Sequence, residues 1–503
     1  MSKIIAIALL LCIGINSKAQ DFTYFNQTYG GNDTINILAQ ITQPVSDGFI
    51  IIGNYASLNT PHAIYIMKIN NYGEQIWFKN LFVGDDWGIL ESGTAICSTT
   101  DGQFVATTVR DAPQGNEIYL FKFNEDGDTL WSRHYPSDLA QVANMVIQTS
   151  DGGFALAGLR YSTDTIRMLL LKTDETGIYQ WHKTYEIGND TRAFSIQQYY
   201  DDTYILGGWG YTTATKYDMF VVKTQANGDT IWTKRFGGVQ SDCGSNVVNL
   251  NTYEDYLNGV EPSYLVAGCK YFGSIRKLYV SKIGNNGSTV WQKTYNVLFE
   301  NSNPQALPIV LPDKGFIFPG HYYNGGGGIS PYIMRFNSIG NLVWTSLPIA
   351  SNNEMSSIYI KDMQPIPGGY VLAGYQYNIP QTAWVFTIDS LGNTCGSPPC
   401  VETVVGLPEI VGNEQAAATF SLSPNPAQGS LVLTWLDPTA ALGSKAVILD
   451  ITGKQVHTFN VSSPSTLVDV SRLAAGMYFV QVANTQEVQK LVVILKTLQI
   501  LVS

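Results

Sequence analysis

Five tyrosines occupy one shared position along the chain, three residues after the glycine that is predicted to end the second strand of a repeat. They are Tyr161, Tyr211, Tyr271, Tyr323 and Tyr377, with Trp209 and Tyr322 as further aromatic residues beside them. A tyrosine ring combines a broad apolar face with a polar hydroxyl, and such faces can stack on sugars. The pattern predicts a candidate ligand-binding surface, while packing between repeats remains the alternative explanation for a residue that most repeats share.

Catalytic motifs do not appear in the sequence. It contains no HExxH, no GxSxG and no phosphate-binding loop. Residues 124–128 resemble the start of a calcium loop, but equivalent segments share the glycine, which favours a hairpin turn. The histidines are scattered through different repeats: His62, His134, His182, His321 and His457. We therefore predict no catalytic residue, no metal and no cofactor, and we expect that the chain is not an enzyme.

Cysteines offer a second kind of chemistry. Five follow the first 19 residues, namely Cys97, Cys243, Cys269, Cys395 and Cys400. In an oxidising compartment an odd number leaves at least one cysteine unpaired or intermolecular. Cys395 and Cys400 flank a short Gly-Ser-Pro-Pro segment, so we predict a disulfide between them, with a metal site as the weaker alternative.

A long internal repeat must position these residues. Its marker is a tryptophan that recurs every 50 to 59 residues, at Trp77, Trp131, Trp181, Trp232, Trp291 and Trp344. Each unit has four apolar segments separated by Gly, Asn and Asp, and the fourth begins at the tryptophan. Short apolar segments between such turn residues predict strands, and four-stranded repeats of this length are typical of a β-propeller.

The two ends of the repeat region predict a closed ring. A seventh repeat, residues 368–392, stops before any tryptophan, so its last strand is missing. Residues 25–29 (Phe-Asn-Gln-Thr-Tyr) match residues 291–295 (Trp-Gln-Lys-Thr-Tyr) position for position. We therefore predict an all-β chain with a seven-bladed β-propeller over residues 20–394, closed by the N-terminal strand.

Composition limits the classes of partner. The 503 residues are 12% aromatic and 14% charged and include 47 glycines, as expected for a compact, turn-rich β protein. The net charge of -11 argues against nucleic acid and anionic membranes as partners. No segment after the N-terminal one is long and apolar enough to predict a transmembrane segment.

The N-terminus predicts export. Lys3, the apolar residues 4–15 and the small residue Ala19 fit a signal peptide over residues 1–19, removed after Ala19. The mature chain is then expected to pass through the periplasm.

The C-terminal residues resemble a known sorting module. After a linker at residues 395–417, residues 418–503 carry four motifs in order, at residues 420–426, 447–454, 468–480 and 490–493. They resemble the C-terminal sorting domain of the bacterial type IX secretion system. The motif residues are Pro424, Asn425, Pro426, Gly453, Lys454, Gly476, Tyr478 and Lys490. The resemblance implies a small Ig-like β-sandwich, recognised by the type IX machinery of Bacteroidetes-type bacteria.

The repeats also resemble a family of secreted bacterial β-propeller repeats, with Arg235-Phe236-Gly237-Gly238 after Trp232 following its pattern. Function is often found where a repeat is broken, because residues common to all repeats serve the fold. The fifth repeat is extended, especially over residues 253–261, and residues 55–65 form another irregular segment. Both are candidate contact surfaces.

These observations predict a secreted or cell-surface binding or adhesion protein, with a glycan or a surface protein as ligand. The alternatives are an extracellular hydrolase or lyase acting on polysaccharide or peptide, and a structural protein of the envelope. Acidic residues gathered at the channel mouth would favour the enzyme, and exposed tyrosines would favour sugar binding.

Overall fold

The computed structural model describes the chain as two compact units, Met1–Ile410 and Val411–Ser503. The described residues are 24–29, 35–57, 60–81, 95–110, 115–213, 216–237, 242–272, 275–298, 306–323, 328–348, 357–377, 382–394, 420–423, 427, 429–435, 444–450, 455–461, 463, 465–474, 476–482 and 488–493. Strands dominate both units, which confirms the predicted all-β class. The helical segment among these residues is α1 (Tyr253–Leu257), and no described helix has the length and apolar character to cross a membrane.

The first unit consists of antiparallel strands that pair with their neighbours in sequence. The first sheets contain β1 (Asn26–Tyr29), β2 (Ile35–Val45), β3 (Gly48–Ser57), β4 (Thr60–Asn70), β5 (Gln75–Leu81), β6 (Ala95–Ser98), β7 (Phe104–Arg110), β8 (Glu117–Phe123), β9 (Thr129–Tyr135), β10 (Gln141–Gln148), β11 (Phe154–Tyr161), β12 (Ile166–Thr173) and β13 (Tyr179–Tyr185). The following sheets contain β14 (Asp190–Gln198), β15 (Tyr204–Thr212), β16 (Lys216–Thr224), β17 (Thr230–Phe236), β18 (Cys243–Asn249), β19 (Ser263–Phe272), β20 (Ile275–Gly284), β21 (Thr289–Leu298), β22 (Ile309–Val310), β23 (Phe316–Tyr323), β24 (Ile329–Phe336), β25 (Leu342–Ser346), β26 (Ser357–Ile366), β27 (Gly369–Tyr377) and β28 (Thr382–Asp389).

Strands β2–β5, β6–β9, β18–β21 and β22–β25 each form a four-stranded sheet. Strands β10–β13 and β14–β17 follow the same order and are joined by one parallel bridge between Ile166 and Asp190. In each complete repeat the fourth strand begins shortly before the repeated tryptophan rather than at it, for example at Thr129 for Trp131.

The N-terminal strand belongs to the last of these sheets. β1 pairs antiparallel with β28, with Thr28 opposite Trp384, so the sheet order is β1-β28-β27-β26. The Trp384 indole N–H donates a hydrogen bond to the Asn26 side-chain oxygen at 2.6 Å. Residues more than 350 positions apart in sequence are therefore neighbours in one sheet.

Apolar side chains fill the space between consecutive sheets. Ile205 and Val221 of one sheet form a buried cluster with Val266 of the next. A corresponding cluster joins Phe49 of β3 with Val371 of β27. Because a middle strand contacts a neighbouring sheet on each face, its apolar run is continuous instead of alternating, as in β11.

A bulge explains the repeated glycine that precedes the tyrosines. The sequence predicts that the second strand ends at this glycine, but β11 and β15 continue to Tyr161 and beyond Tyr211. Opposite Gly158 the paired strand β10 has a register shift, and a Cβ added at Gly158 would lie 1.9 Å from the Val142 backbone oxygen. The glycine is required because the bulged strand approaches its backbone, so it marks the strand interior.

The repeated tryptophan contacts the next sheet. A Cβ added at Gly177 would lie 2.7 Å from the Trp131 ring, and Gly177 has a φ of +76°. The Tyr135 hydroxyl donates a hydrogen bond to the Gly177 carbonyl at 2.7 Å. The same kind of contact recurs in the pairs Trp77–Gly127, Trp181–Gly228, Trp232–Gly287, Trp291–Gly340, Trp344–Gly392 and Phe25–Gly73. The repeated aromatic residue and glycine therefore form one contact between neighbouring sheets.

Gly177→Ala is expected to lower the free energy of unfolding by about 2–4 kcal/mol, because it adds backbone strain at positive φ and an overlap with Trp131. Gly102→Ala is a matched control, since Gly102 has the same φ of +76° and no atom within 4 Å of an added Cβ. Its expected cost is the backbone strain of about 1–2 kcal/mol alone. Urea unfolding of both variants measures the difference, and equal costs would show that the tryptophan contact contributes little.

The second unit contains two antiparallel sheets around one core. One has the order β29-β30-β33 and the other β32-β31-β34-β35. Their strands are β29 (Phe420–Ser423), β30 (Ser430–Trp435), β31 (Lys445–Asp450), β32 (Gln455–Asn460), β33 (Ser465–Asp469), β34 (Gly476–Val482) and β35 (Val488–Val493). Leu433 and Val468 of the first sheet pack with Ile448 and Val480 of the second. The unit is therefore two-layered, with alternating side chains directed inward.

Candidate functional site

The predicted tyrosines lie at the C-terminal ends of the second strands of their sheets. Tyr161 is exposed there, at the end of β11. Tyr322 instead packs against a buried cluster, with its ring centroid 6.5 Å from that of Tyr332. Tyr323 and Tyr377 belong to β23 and β27, but their side chains lie outside the described part of the structure. The predicted aromatic residues therefore have different surroundings.

Two of the predicted aromatic residues, Trp209 and Tyr211, come together in one cluster at the end of β15. We call Phe194, Trp209, Tyr211 and Tyr217 the Trp209 cluster. The Trp209 ring stacks on Phe194 at a centroid distance of 6.1 Å and meets the edge of Tyr217 at 5.0 Å. Tyr217 also lies 5.2 Å from Tyr211. Tyr217 remains 40% exposed, so the cluster reaches the surface.

Polar groups surround the Trp209 cluster. The Arg192 guanidinium lies 5.1 Å from the centre of the Trp209 ring and is held by Asp190 through hydrogen bonds of 3.1 and 3.2 Å. The buried Trp209 indole N–H has no hydrogen-bond acceptor among the described residues. A buried donor without an acceptor costs free energy, so a ligand that supplied an acceptor would relieve this cost.

Asp242 connects the Trp209 cluster with the next sheet. Its backbone N–H donates to the Tyr217 carbonyl at 2.6 Å, and its carboxylate accepts a hydrogen bond from the Tyr271 backbone N–H at 3.0 Å. The Arg276 guanidinium lies 4.5 Å from the centre of the Tyr271 ring. Asp242 therefore ties the backbone of Tyr271, a third predicted aromatic residue, to that of Tyr217.

Two buried carboxylates and a lysine accompany these rings. Asp218 follows Tyr217, is fully buried, and accepts a hydrogen bond from Arg235 at 3.2 Å. The Lys270 ammonium lies 4.0 Å from the centre of the Tyr279 ring. Burial lowers the pKa of Lys270, while the charges of Asp242 and Asp218 act in the opposite direction. The site therefore combines aromatic faces with both signs of charge.

The alternation of side chains along β15 and β19 shows which way the residues of the site face. Ile205 and Trp209 lie on the same face of β15, and Val266 and Lys270 lie on the same face of β19, because side chains two and four residues apart share a face. Ile205 and Val266 belong to one cluster between the two sheets. Trp209 and Lys270 are therefore directed toward the same boundary between sheets.

The other candidate residues do not form a site with these. Within the described ranges, no group of three or more His, Cys, Asp or Glu side chains is placed to hold a metal ion. His182 contacts Arg160 at 2.9 Å and Tyr179 at 3.0 Å. His321 is buried and accepts a hydrogen bond from the Ile360 backbone N–H.

The cysteine that the structure shows in a disulfide is not one of the predicted pair. Cys395 and Cys400, the predicted disulfide pair, lie outside the described residues. Cys269 is disulfide-bonded, and the residue opposite it in the β18–β19 register is Cys243. Cys97 is a free thiol whose pKa is raised to about 12 by burial. The disulfide is therefore in the first unit, and Cys269 lies on β19, the strand that also carries Lys270.

The sorting-motif residues are only partly described. Pro424, Asn425, Pro426, Gly453 and Lys454 lie outside the described residues. Tyr478 is buried in the core of the second unit and donates a hydrogen bond to the Ala474 carbonyl at 2.9 Å. Gly476 and Lys490 belong to the paired strands β34 and β35.

Sequence reasoning missed the charged members of the site. Asp218 and Lys270 sit in apolar strands, at positions where other repeats carry different residues, such as Arg167 in β12. A charged residue that interrupts a buried strand is a detectable signal, because charges are rarely buried without a partner. Asp242 lies in a connecting segment, so no periodicity marks it.

Residues 421–495 match the family described as the secretion system C-terminal sorting domain. This match confirms the sorting-domain resemblance. It indicates a protein secreted by the type IX system, with a surface or extracellular location and with the type IX machinery as a partner. No curated protein matches the chain in sequence.

Several solved structures have a similar fold at low sequence identity. A subtype N10 neuraminidase-like protein of A/little yellow-shouldered bat/Guatemala/060/2010 is 9% identical, with 61% of this chain and 95% of that chain covered and a TM-score of 0.38. Drosophila Plexin A in complex with Semaphorin 1b is 7% identical, with 73% and 86% covered and a TM-score of 0.38. A point mutant of the NanB sialidase from Streptococcus pneumoniae is 8% identical, with 60% and 68% covered and a TM-score of 0.40.

The expectation that the chain is not an enzyme is contradicted by these neighbours, since two of them are a neuraminidase-like protein and a sialidase. That expectation is withdrawn. Scores this low identify neither an activity nor a substrate for this chain, so function has to be argued from its own residues.

Proposed function

We propose that the chain is an exported, glycan-directed protein whose first unit is a closed seven-bladed β-propeller and whose second unit is an Ig-like sorting module. The signal peptide over residues 1–19 directs it to the periplasm of a Bacteroidetes-type cell, and the type IX system completes export. The Trp209 cluster and its charged neighbours bind the carbohydrate.

Contacts between the first and last sheets support the closed ring. Phe25 contacts Gly73 in the same way as the repeated tryptophans contact the glycines of the following sheets. The Tyr29 hydroxyl donates to the Gly73 carbonyl at 2.6 Å, which repeats the contact made by Tyr135. A radial arrangement of sheets leaves few exposed strand edges, so it stabilises a chain of this composition.

The composition of the Trp209 cluster supports carbohydrate as the ligand. A pyranose presents C–H groups on its faces, which suit aromatic rings, and hydroxyls around its edge, which suit charged side chains. Trp209 and Tyr211 supply rings, while Arg192 and Lys270 supply donors near them. The observation that carries the proposal is the buried Trp209 indole N–H without an acceptor, beside rings that reach the surface.

Trp209→Ala is expected to weaken carbohydrate binding about 5- to 150-fold, because stacking on one aromatic ring contributes roughly 1–3 kcal/mol. The measurement is isothermal titration of the full chain with polysaccharides first selected on a glycan array. Circular dichroism must show that the variant is folded.

Tyr161→Ala is the matched control, since Tyr161 occupies in the preceding repeat the strand position that Tyr211 occupies in the Trp209 cluster, without belonging to that cluster. We expect its affinity to equal that of the unchanged protein. If Tyr161→Ala weakened binding as much as Trp209→Ala, a ring of tyrosines rather than the Trp209 cluster would be the binding surface. If the folded chain bound no glycan, the proposal would be wrong.

A second candidate function is cleavage of the bound polysaccharide by a hydrolase or lyase. The observation favouring it is the pair of buried acids, Asp218 and Asp242, beside Lys270, since carboxylates carry glycoside hydrolysis. The assay is the release of new chain ends from each bound polysaccharide. Release by the unchanged protein and its loss in Asp242→Asn, with binding retained, would establish an enzyme.

A further inference from the structure

A second aromatic surface lies at the other end of β15, about 25 Å from Tyr211 by the length of the strand. It consists of Tyr199, Tyr200, Tyr253 and Tyr256, which we call the Tyr200 patch. Tyr199 and Tyr200 precede β15, and the other two belong to α1 between β18 and β19. Residues of two neighbouring sheets therefore build it, and it includes the extension that distinguishes the fifth repeat.

The rings of the Tyr200 patch are inclined to one another. The centroids of Tyr200 and Tyr253 are 5.3 Å apart with an angle of 65° between the planes. Tyr199 and Tyr256 are 5.8 Å apart at 86°, and Tyr200 and Tyr256 are 5.7 Å apart at 37°. Rings at these distances are in contact with one another, so they form a compact aromatic surface of inclined faces, whereas stacking on a sugar requires one open, flat face.

Exposure shows that the patch is available for binding. Tyr253 is 57% exposed and Tyr200 is 41% exposed, and the neighbouring Leu257 is 65% exposed. Tyr199 forms the floor at only 4% exposure, and its buried hydroxyl has no hydrogen-bond partner among the described residues. An apolar surface next to a buried unsatisfied hydroxyl is costly in water, which favours a ligand there.

Local anchoring keeps the patch in place. The Thr252 side chain and the Asp255 side chain form a reciprocal capping box at the start of α1. Asp255 also forms an ion pair with Lys314 of the following repeat, and these contacts lower the pKa of Asp255 to about 2. The aromatic rings of α1 are therefore presented by a segment that is fixed at two points.

Negative charge surrounds the Tyr200 patch. Its neighbours in sequence include Asp201, Asp202, Glu254 and Glu261, all exposed. Burial raises the pKa of Tyr199, and the charges of Asp201 and Asp255 raise it further. Because these carboxylates make the local potential negative, they attract cations and repel anions.

We propose that the Tyr200 patch binds the cationic side chains of a basic partner polypeptide. Inclined aromatic rings attract an ammonium or guanidinium group through their quadrupoles, and the acidic rim adds long-range attraction. This surface is separate from the Trp209 cluster, so its function does not depend on glycan binding.

The test measures the binding of a rhodamine-labelled peptide of alternating Arg and Gly to the full chain by fluorescence anisotropy. We expect saturable binding that weakens with added salt, and no binding of the analogue with Glu in place of Arg. Tyr253→Leu keeps an apolar side chain but removes the ring, and it is expected to weaken binding about fivefold. Glu254→Gln is expected to weaken binding and to reduce the salt dependence.

Tyr72→Leu is the control, since Tyr72 is 65% exposed in a turn of a different sheet. It is expected to bind the basic peptide with unchanged affinity. Three results would each overturn the proposal: no saturable binding of the basic peptide, equal binding of the acidic peptide, or equal affinities for Tyr253→Leu and the unchanged chain. Thermal unfolding of each variant confirms that it is folded.

Discussion

Removal of residues 24–29 is expected to lower the free energy of unfolding by about 5 kcal/mol or more, which is most of the stability of an ordinary domain. Phe25 is buried between the first and last sheets, and truncating such a side chain alone costs about 3–5 kcal/mol. Removing the strand also exposes the edge of β28, where Trp384 is fully buried in the intact chain. Urea unfolding followed by tryptophan fluorescence measures the change.

The control for this deletion keeps the strand and changes its exposed side chains. Gln27 and Thr28 are both exposed, so a Gln27→Ala, Thr28→Ala double variant retains backbone pairing with β28. Its stability is expected to change by less than about 1 kcal/mol. A peptide of residues 21–31 added to the shortened chain should restore part of the lost stability. An unfolding midpoint that is unchanged by the deletion would contradict the proposed ring closure.

Acidification is expected to destabilise the first unit through His321 as the pH falls from 6.5 to 3. Burial, together with the positive charge of Lys361, lowers the pKa of His321 from its usual 6.5 to about 3. The unfolded chain therefore takes up this proton first, while the folded chain keeps His321 neutral as an acceptor for the Ile360 N–H. Over this range the free energy of unfolding falls by up to about 1.4 kcal/mol per pH unit. The total decrease is roughly 4–5 kcal/mol below pH 3.

The sign of this effect follows from the two protonation states. Above pH 6.5 His321 is neutral in both states, so its contribution is fully present, and it is lost as the pH falls through the folded-state pKa. His321→Gln is expected to remove this slope while the carboxylates continue to titrate. His134→Gln is the control, since the His134 side chain is 53% exposed. Equal slopes for His321→Gln and the unchanged chain would show that His321 does not cause the acid sensitivity.

The all-β class was predictable because the repeat is marked by positions that only a few residue types can occupy. A positive φ requires glycine at positions such as Gly177, and the adjacent sheet requires a large aromatic residue at Trp131. The match between residues 25–29 and 291–295 likewise reflects the contact of Phe25 with Gly73. The same contact is made in each repeat, so the same residue types recur many times along one sequence.

The candidate site was only partly predictable because it depends on contacts between sheets. Trp209 and Tyr211 were identified from their type and position, but Tyr322, predicted on the same grounds, packs against a buried cluster instead. The sequence predicts a strand end at Gly158, but this glycine lies opposite a bulge within the sheet. A glycine alone does not distinguish a strand end from a bulge. Asp242 was not predicted at all, because its role arises from bonds to two strands that are distant in sequence.

The pairing of β1 with β28 also has a consequence for the order of events during synthesis and export. The partner of Asn26 is 358 positions further along the chain, so the first strand emerges long before its partner exists. Until residue 389 has been delivered, the opening segment lacks the strand with which it pairs, and its backbone edge remains exposed. The sorting module follows that point in the chain, so the signal for the final export step is produced only after the last strand needed to complete the first unit.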